Sequence, residues 1–452
     1  MKPCLLLRAS RWLFLWLALP LVSAIPAYGQ HEASRRAWSH SAAPTGEDQA
    51  KLERHAIRLL ARPDLQQELQ SLETKWKERW PNLLPSTLKQ AHSSIEELAF
   101  LVALETIDGD PRRPHVVQVS MPPHTWFGTD VPGGRWGIDN PDTQYFLVPL
   151  EASSSYVITG RRHAPGPIDS NYSFSDLDGW RTLANIAHDQ LQVAPDGSYT
   201  ITLDSSPANG RPNHIQLTEG GDSLLIRNTL ADWSREGADN LEVKRLSGPP
   251  PDAEPTDDVL EHAFVTRLRT LLDHVIANLQ APVFKVPVNV LPQPGKPGDK
   301  AGFLVTQRNA LGHFRLQEDE ALVVTLNPGG AGYTTLPITN VWGVSPAYWE
   351  HQSSLNNHQA FKNTDGTITL VVSAFDPGIA NWVDTAGLEE GFIMLRWQRL
   401  HQLDEDPEVH SVLVKRADIA AHLPSGIVLC SPRERAAQLK KRRAAFQRRF
   451  QE

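Results

Sequence analysis

The residues best suited to hold a small molecule stand in one short run, Asn381-Trp382-Val383-Asp384, behind the turn Asp376-Pro377-Gly378. An indole offers a large flat face at little entropic cost, while the flanking amide and carboxylate can hydrogen-bond a ligand stacked on it. The same residues also suit a structural corner. Pro fits the second position of a turn and Gly the third, Asp376 can bond its own backbone, and Trp382 is then core. A second run, Asn213-His214, offers an imidazole for general acid/base work. Arg227 and Arg396 hold matching strand positions. Each pairs with an acid, Asp232 and Asp384 being the candidates, or binds an anion. Asp139-Asn140-Pro141-Asp142 with Tyr145 crowds oxygen ligands together, but at no spacing of a known calcium loop, and Asn-Pro is first a turn starter. His351 and His358 are seven apart, wider than a two-histidine metal motif uses. No Gly-x-Ser-x-Gly elbow, zincin motif, phosphate loop or Cys-x-x-Cys is present, so no catalytic residue, metal or cofactor is singled out. The ligand-contacting candidates are Trp382, Asn381, Asp384, His214, Asn213 and Arg396.

Those runs sit in a chain that repeats itself. Asp196-Gly197-Ser198-Tyr199-Thr200-Ile201-Thr202-Leu203 matches Asp365-Gly366-Thr367-Ile368-Thr369-Leu370, and Asn213-His214-Ile215 matches Asn381-Trp382-Val383. Gly221 to Arg227 matches Glu390 to Arg396, and Val157-Ile158-Thr159 matches Val323-Val324-Thr325. All four pairs lie 166 to 169 positions apart, which marks duplication. Because His214 and Trp382 differ at matched positions, the fold demands neither, which makes them better functional candidates than the paired asparagines. Alternating strands joined by tight turns leave one wet face per sheet, so two sheets must stack. The expected fold is mainly β with a helical N-terminal region, its two related antiparallel β-sandwich or jelly-roll halves joined by a helix.

The expected boundaries follow texture. Residues 1–29 read as a signal peptide: Lys2, Arg8 and Arg11 precede the apolar run Trp12 to Ala24, which is too short for a comfortable span. A flexible leader covers 30–46 and a helical region 47–110, with helices expected around Leu52 to Leu60, from Pro63, and from Ser86 to Ile107. The first β-rich half runs 111–246, a linker and bridging helix 247–300, the second half 301–430, and a basic C-terminal helix 431–452. That last helix has Ser431, Pro432 and Glu434 in capping-box positions. Leu439, Phe446 and Phe450 mark one of its faces, and its cations could touch an anionic surface.

The residues Gly133-Gly134, Asn140-Pro141-Asp142, Tyr145 and Tyr156 to Gly160, with Asp376-Pro377-Gly378, Asn381-Trp382, Asp384-Thr385 and Arg396-Trp397, resemble bacterial proteins bearing domain of unknown function 1214. The resemblance spans roughly residues 113 to 400. In such proteins the first half often carries Trp where this chain has His214. The resemblance implies a β-rich fold and no established activity.

A net charge of −8 argues against a nucleic-acid binder, and no second apolar run reaches spanning length, so no transmembrane segment is expected in the mature chain. Beyond the signal Cys430 stands alone and reads as a small buried hydrophobe. Eleven of the 13 tryptophans lie beyond the signal, more than a sandwich core needs. The expectation is therefore an exported, periplasmic or secreted protein that binds a polar, saccharide-like ligand. The alternative is a hydrolase using His214 or a carboxylate in acid/base catalysis.

Overall fold

The computed structural model describes residues 46–449 apart from 178, 296–302, 401–402 and 404. The expected signal and all of the leader except Gly46 lie outside the described residues. Among the described residues no helix is long and apolar enough to cross a membrane.

Four helices open the described residues: α1 Gly46–Leu60, α2 Pro63–Arg79, α3 Pro85–Lys89 and α4 Ala91–Ile107. Pro63 and Pro85 each sit in a first turn, where the missing N–H costs nothing. The single helix expected from Ser86 to Ile107 is two, because the chain turns at Gln90, which closes α3 and opens α4. Eleven residues of α4 are buried, so it is the central helix of this layer and not an amphipathic surface one.

The first half contributes β1 Val117–Val119, β4 Thr143–Pro149, β5 Ser155–Arg161, β6 Asp169–Asp176, β7 Arg181–Ala187, β8 Ser198–Asp204, β9 His214–Gln216, β10 Ser223–Thr229 and β11 Asn240–Ser247. Between the first two lies a short hairpin, β2 His124–Trp126 and β3 Thr129–Val131. The second half contributes β12 Arg308–Arg315, β13 Glu320–Asn327, β14 Tyr333–Thr339, β15 Ser354–Asn356, β16 Ile368–Ser373, β17 Trp382–Asp384, β18 Glu390–Gln398 and β19 Glu408–Lys415. Sheet orders are β1-β4-β10-β6-β7 with β11-β5-β8-β9, and β12-β18-β14-β15 with β19-β13-β16-β17.

Apart from the extra edge strand β1, the two halves match strand for strand. Each ends one sheet in a parallel pair at the duplicated motif, Thr202 opposite His214 and Val371 opposite Trp382. Each half is therefore a two-sheet sandwich with its own core. Phe146, Tyr172, Phe174 and Ile226 fill the first, and Phe314, Leu322, Leu370 and Trp397 the second.

Helix α5, Asp257–His274, starts on a Thr256 cap and buries Leu260, Phe264, Leu268 and Leu272 along one stripe. It runs on through a π-helical stretch, Val275–Gln280, into the short α6, Ala281–Val283. This helix does more than join the halves. Its Gln280 accepts the indole N–H of both Trp76 and Trp80 at 2.9 Å and donates to the Val341 carbonyl at 2.9 Å, so it ties α2 to the second half. Helix α7, Pro432–Arg448, has the expected capping box. It docks across the seam between the halves. Phe446 is fully buried, stacked on Trp349 at 5.2 Å and tilted against Trp233 at 6.0 Å. Of the expected apolar face, Phe446 docks, Leu439 is only partly buried and Phe450 lies outside the described residues; arginines add to the docking. Arg435 reaches Asp376 at 2.9 Å, Arg442 reaches Ser354 Oγ at 2.8 Å, and Arg449 reaches the Pro141 carbonyl at 2.6 Å. Arg433, Lys440, Lys441 and Arg448 stay exposed.

Candidate functional site

The six predicted ligand contacts do not form one site. Asn381 is 2% exposed and clamps a backbone loop: it accepts from Phe361 N at 2.9 Å and donates to the Phe361 and Thr369 carbonyls at 2.8 and 3.0 Å. Asn213 makes the same clamp in the first half, accepting from Gln192 N and donating to its carbonyl, both at 2.8 Å. The matched asparagines therefore hold matched loops.

Trp382, expected to stack on a ligand, is closed off at 7% exposure. Its indole N–H donates to the Ser373 carbonyl and hydroxyl at 3.1 Å, and the Arg435 guanidinium from α7 lies 5.0 Å from its ring. Asp384 accepts from Ala386 N at 2.8 Å and from His351 at 2.7 Å, and this contact raises the His351 pKa. The His214 side chain is enclosed by Thr202, the Ser206 carbonyl and Arg211 at 2.8 to 3.0 Å. Of the two acids expected beside the strand arginines, Asp232 accepts from Ser234 and Asp384 from His351. His358 reaches the Gly332 carbonyl at 3.3 Å, away from His351. Among the described residues no group of three metal-ligating side chains converges.

Arg396 points elsewhere. It lies on β18, in the other sheet of its sandwich from Trp382, and donates to the Ile138 carbonyl of the first half. That seam leads to the site the sequence did not reveal. The sheet β1-β4-β10-β6-β7 turns one face into its own core. Alternation puts Tyr145, Leu225 and Arg227 on the other face, towards the helices. There a cavity of about 190 Å³ lies under α4 and α5, walled by Leu101, Leu225 and Leu271 and by the tryptophans Trp136 and Trp180. The two indoles are 6.4 Å apart, and Trp180 is backed by His274 at 5.6 Å, nearly parallel to it.

The polar side of the cavity is built from Asp139, Tyr145 and Arg227. Tyr145 and Arg227 are direct cross-strand partners. Tyr145 Oη accepts from Asn140 N at 2.8 Å, and Arg227 donates to Ser173 Oγ at 3.3 Å. Asp139 is 5% exposed and accepts from the Ser345 hydroxyl of the second half. Burial raises its pKa to about 6, against the opposing pull of Ser345, Arg135 and Arg396. Burial lowers the Arg227 pKa and raises that of Tyr145. Nearer the mouth, Glu105 lies 3.1 Å from Arg267 and Asp176 lies 3.6 Å from Arg181. This cavity has aromatic and aliphatic walls with a few convergent polar groups and one perturbed carboxyl, which suits small-molecule binding.

Sequence reasoning weighed the run Asp139 to Asp142 with Tyr145 as a turn or a set of metal ligands and Arg227 as the partner of an acid or an anion, and it passed over Trp136 and Trp180. The signal available was weak: a pair of tryptophans flanking a strand-rich stretch. The walls come from segments near 101, 136–145, 180, 225–227 and 271, which no local pattern connects.

No family model and no curated protein matches the chain. Among solved structures, an uncharacterised protein of Burkholderia cenocepacia superposes with a TM-score of 0.64 at 23% identity, over 80% of this chain and 99% of that one. A protein of Vibrio parahaemolyticus aligns at 12% identity over 61% of this chain and 90% of that one, with a TM-score of 0.37. The first of these likenesses is to the fold alone.

Proposed function

We propose that this chain is an exported binding protein whose small, polar, saccharide-like ligand sits in the cavity between the first sandwich and the helical layer. One observation carries the proposal. The cavity sets two tryptophans, Trp136 and Trp180, beside the hydrogen-bonding groups of Asp139, Tyr145 and Arg227. An indole face suits the apolar face of a ring, and paired carboxylates and guanidiniums suit its hydroxyls. Export is supported by the basic start and short apolar run of residues 1–29, and the likeness to proteins bearing domain of unknown function 1214 fits a shared scaffold.

The test is a thermal-melt and tryptophan-fluorescence screen of the mature protein against saccharides and small organic ligands. A ligand that binds the native state raises the melting temperature by mass action. Trp180→Ala is expected to abolish the shift with melting near that of the wild type, since Trp180 is only partly buried. A ligand response that survives Trp180→Ala would place binding elsewhere.

A second reading, a hydrolase, is favoured by Asp139. A carboxyl with a pKa of about 6, lining a cavity beside a guanidinium, can deliver a proton near neutral pH. Asp139→Asn would then remove turnover of an aryl glycoside or ester panel, and turnover unchanged by that substitution excludes this role.

A further inference from the structure

We infer that two copies of this chain pair edge to edge through β11, joining their β11-β5-β8-β9 sheets across a two-fold axis at Val243. The inference is independent of what fills the cavity. β11 is the outer strand of its sheet, and among the described residues β5 alone bonds its backbone. The matching edges of the second sandwich are closed by segment 289–295. On β19, the Gln293 amide donates to the Val409 carbonyl at 2.6 Å and accepts from Val409 N at 3.2 Å. On β12, the Asn289 amide donates to the Arg315 carbonyl and accepts from Arg315 N, both at 2.9 Å. In the first half β1 covers the edge of β4, and β11 is left open. An open edge is a template for another strand.

The side chains of β11 select a second copy as that strand. Alternation turns Leu241, Val243 and Arg245 towards the core and Asn240, Glu242, Lys244 and Leu246 towards solvent. Charges on an edge ordinarily repel a second strand, but their order here is self-complementary. In an antiparallel pair centred on Val243, Glu242 of each copy faces Lys244 of the other, so the attraction is made twice. Both residues are exposed, and among the described residues neither has an ion partner in its own chain. A slip of two residues would set Glu242 against Glu242 or Lys244 against Lys244. A slip of one would turn the core faces of the two sheets to opposite sides. One register therefore satisfies both charge and core, and its two-fold symmetry closes the assembly at a dimer. The ladder with β5 shifts at Leu246, which confines the pairing to residues 241–245. So short a pair buries less than a standard interface, and association is expected in the micromolar range.

The experiment is sedimentation velocity of the mature protein from below micromolar to several hundred micromolar, where a monomer–dimer equilibrium is expected. Glu242→Lys and Lys244→Glu each put like charges at both crossings and should weaken association by about tenfold or more. Both sites are exposed, so the melting temperature should stay near that of the wild type. Mixing the two variants restores opposite charges at both crossings and should restore the wild-type association as a heterodimer. Hydrogen exchange of the wild type above and below the dimerisation midpoint needs no variant, and it should show slowing over residues 240–247. A monomer at every concentration overturns the inference. A dimer unmoved by either single substitution, mixed variants that stay apart, or concentration-dependent protection confined to other strands overturns it too, by placing the interface elsewhere.

Discussion

Asn381→Ala and Asn213→Gly form an internal comparison that the duplication makes possible. Each substitution deletes the side chain that pins a loop some twenty residues upstream to the end of a sandwich. Asn381 gives up three hydrogen bonds of 2.8 to 3.0 Å, one of them to the carbonyl of buried Thr369, from a position 2% exposed. At about 1 kcal/mol for each bond and more where a buried partner is left unsatisfied, the loss is about 3 kcal/mol. Asn213 gives up two bonds from a partly exposed position where water can replace them, so the loss is about 1 kcal/mol. Glycine is chosen there because residue 213 sits at φ 48°, which alanine would strain. By the scaling for domains of this size the melting point should fall by about 6–12 °C for Asn381→Ala and about 2–4 °C for Asn213→Gly. Scanning fluorimetry at matched concentration reads both. Equal losses, or an Asn381→Ala protein melting with the wild type, would refute the clamp argument and reopen Asn381 as a ligand contact.

Trp382→Ala should cost about 3–5 kcal/mol, the usual range for emptying a buried aromatic site, and a denaturation midpoint unchanged from wild type would contradict the packing described. Phe446→Ala should release α7 first, so hydrogen exchange over residues 432–448 should speed up well before either sandwich loses protection; uniform exchange changes would show that α7 is not a separate unit. The pH dependence of Asp139 has a definite sign. Its folded pKa of about 6 lies above the unfolded carboxyl value, so ionisation opposes folding and its contribution weakens as pH rises from about 4 to about 6. Asp139→Asn should therefore gain on the wild type in melting temperature across that window, and a constant difference between the two would refute the assignment. His351 runs the same way for a different reason. Its pKa is raised by Asp384, so the stability it brings is full below its unfolded pKa and is lost as pH rises through the raised value; Asp384→Asn should remove that loss.

Much of the architecture was legible because it is local. Asp-Gly turns and alternating strands announce themselves over a few residues, and the constant offset between Asn213 and Asn381 gave the duplication, since matched strands need matched spacing. The capping box at Ser431 was equally plain. The site was not legible. Trp382 looked like a stacking platform because an indole with polar neighbours reads the same whether its face meets a ligand or an arginine, and the arginine that covers it comes from position 435. Arg227 and Arg396 were recognised as matched, yet alternation alone could not say that their faces turn outward to the seam. The cavity depends on how α4 and α5 settle on a sheet that lies between them in sequence, which is a question of tertiary packing.

The central core gathers Ala56 and Leu59 from the first described helix, Leu268 from the middle of the chain and Phe446 from its last helix. Helix α7 supplies Phe446 to the box of Trp233, Tyr348 and Trp349, whose rings stay without that lid until the helix docks. Removing α7 would lay Trp233, Tyr348 and Trp349 open between the two sandwiches as an aromatic patch.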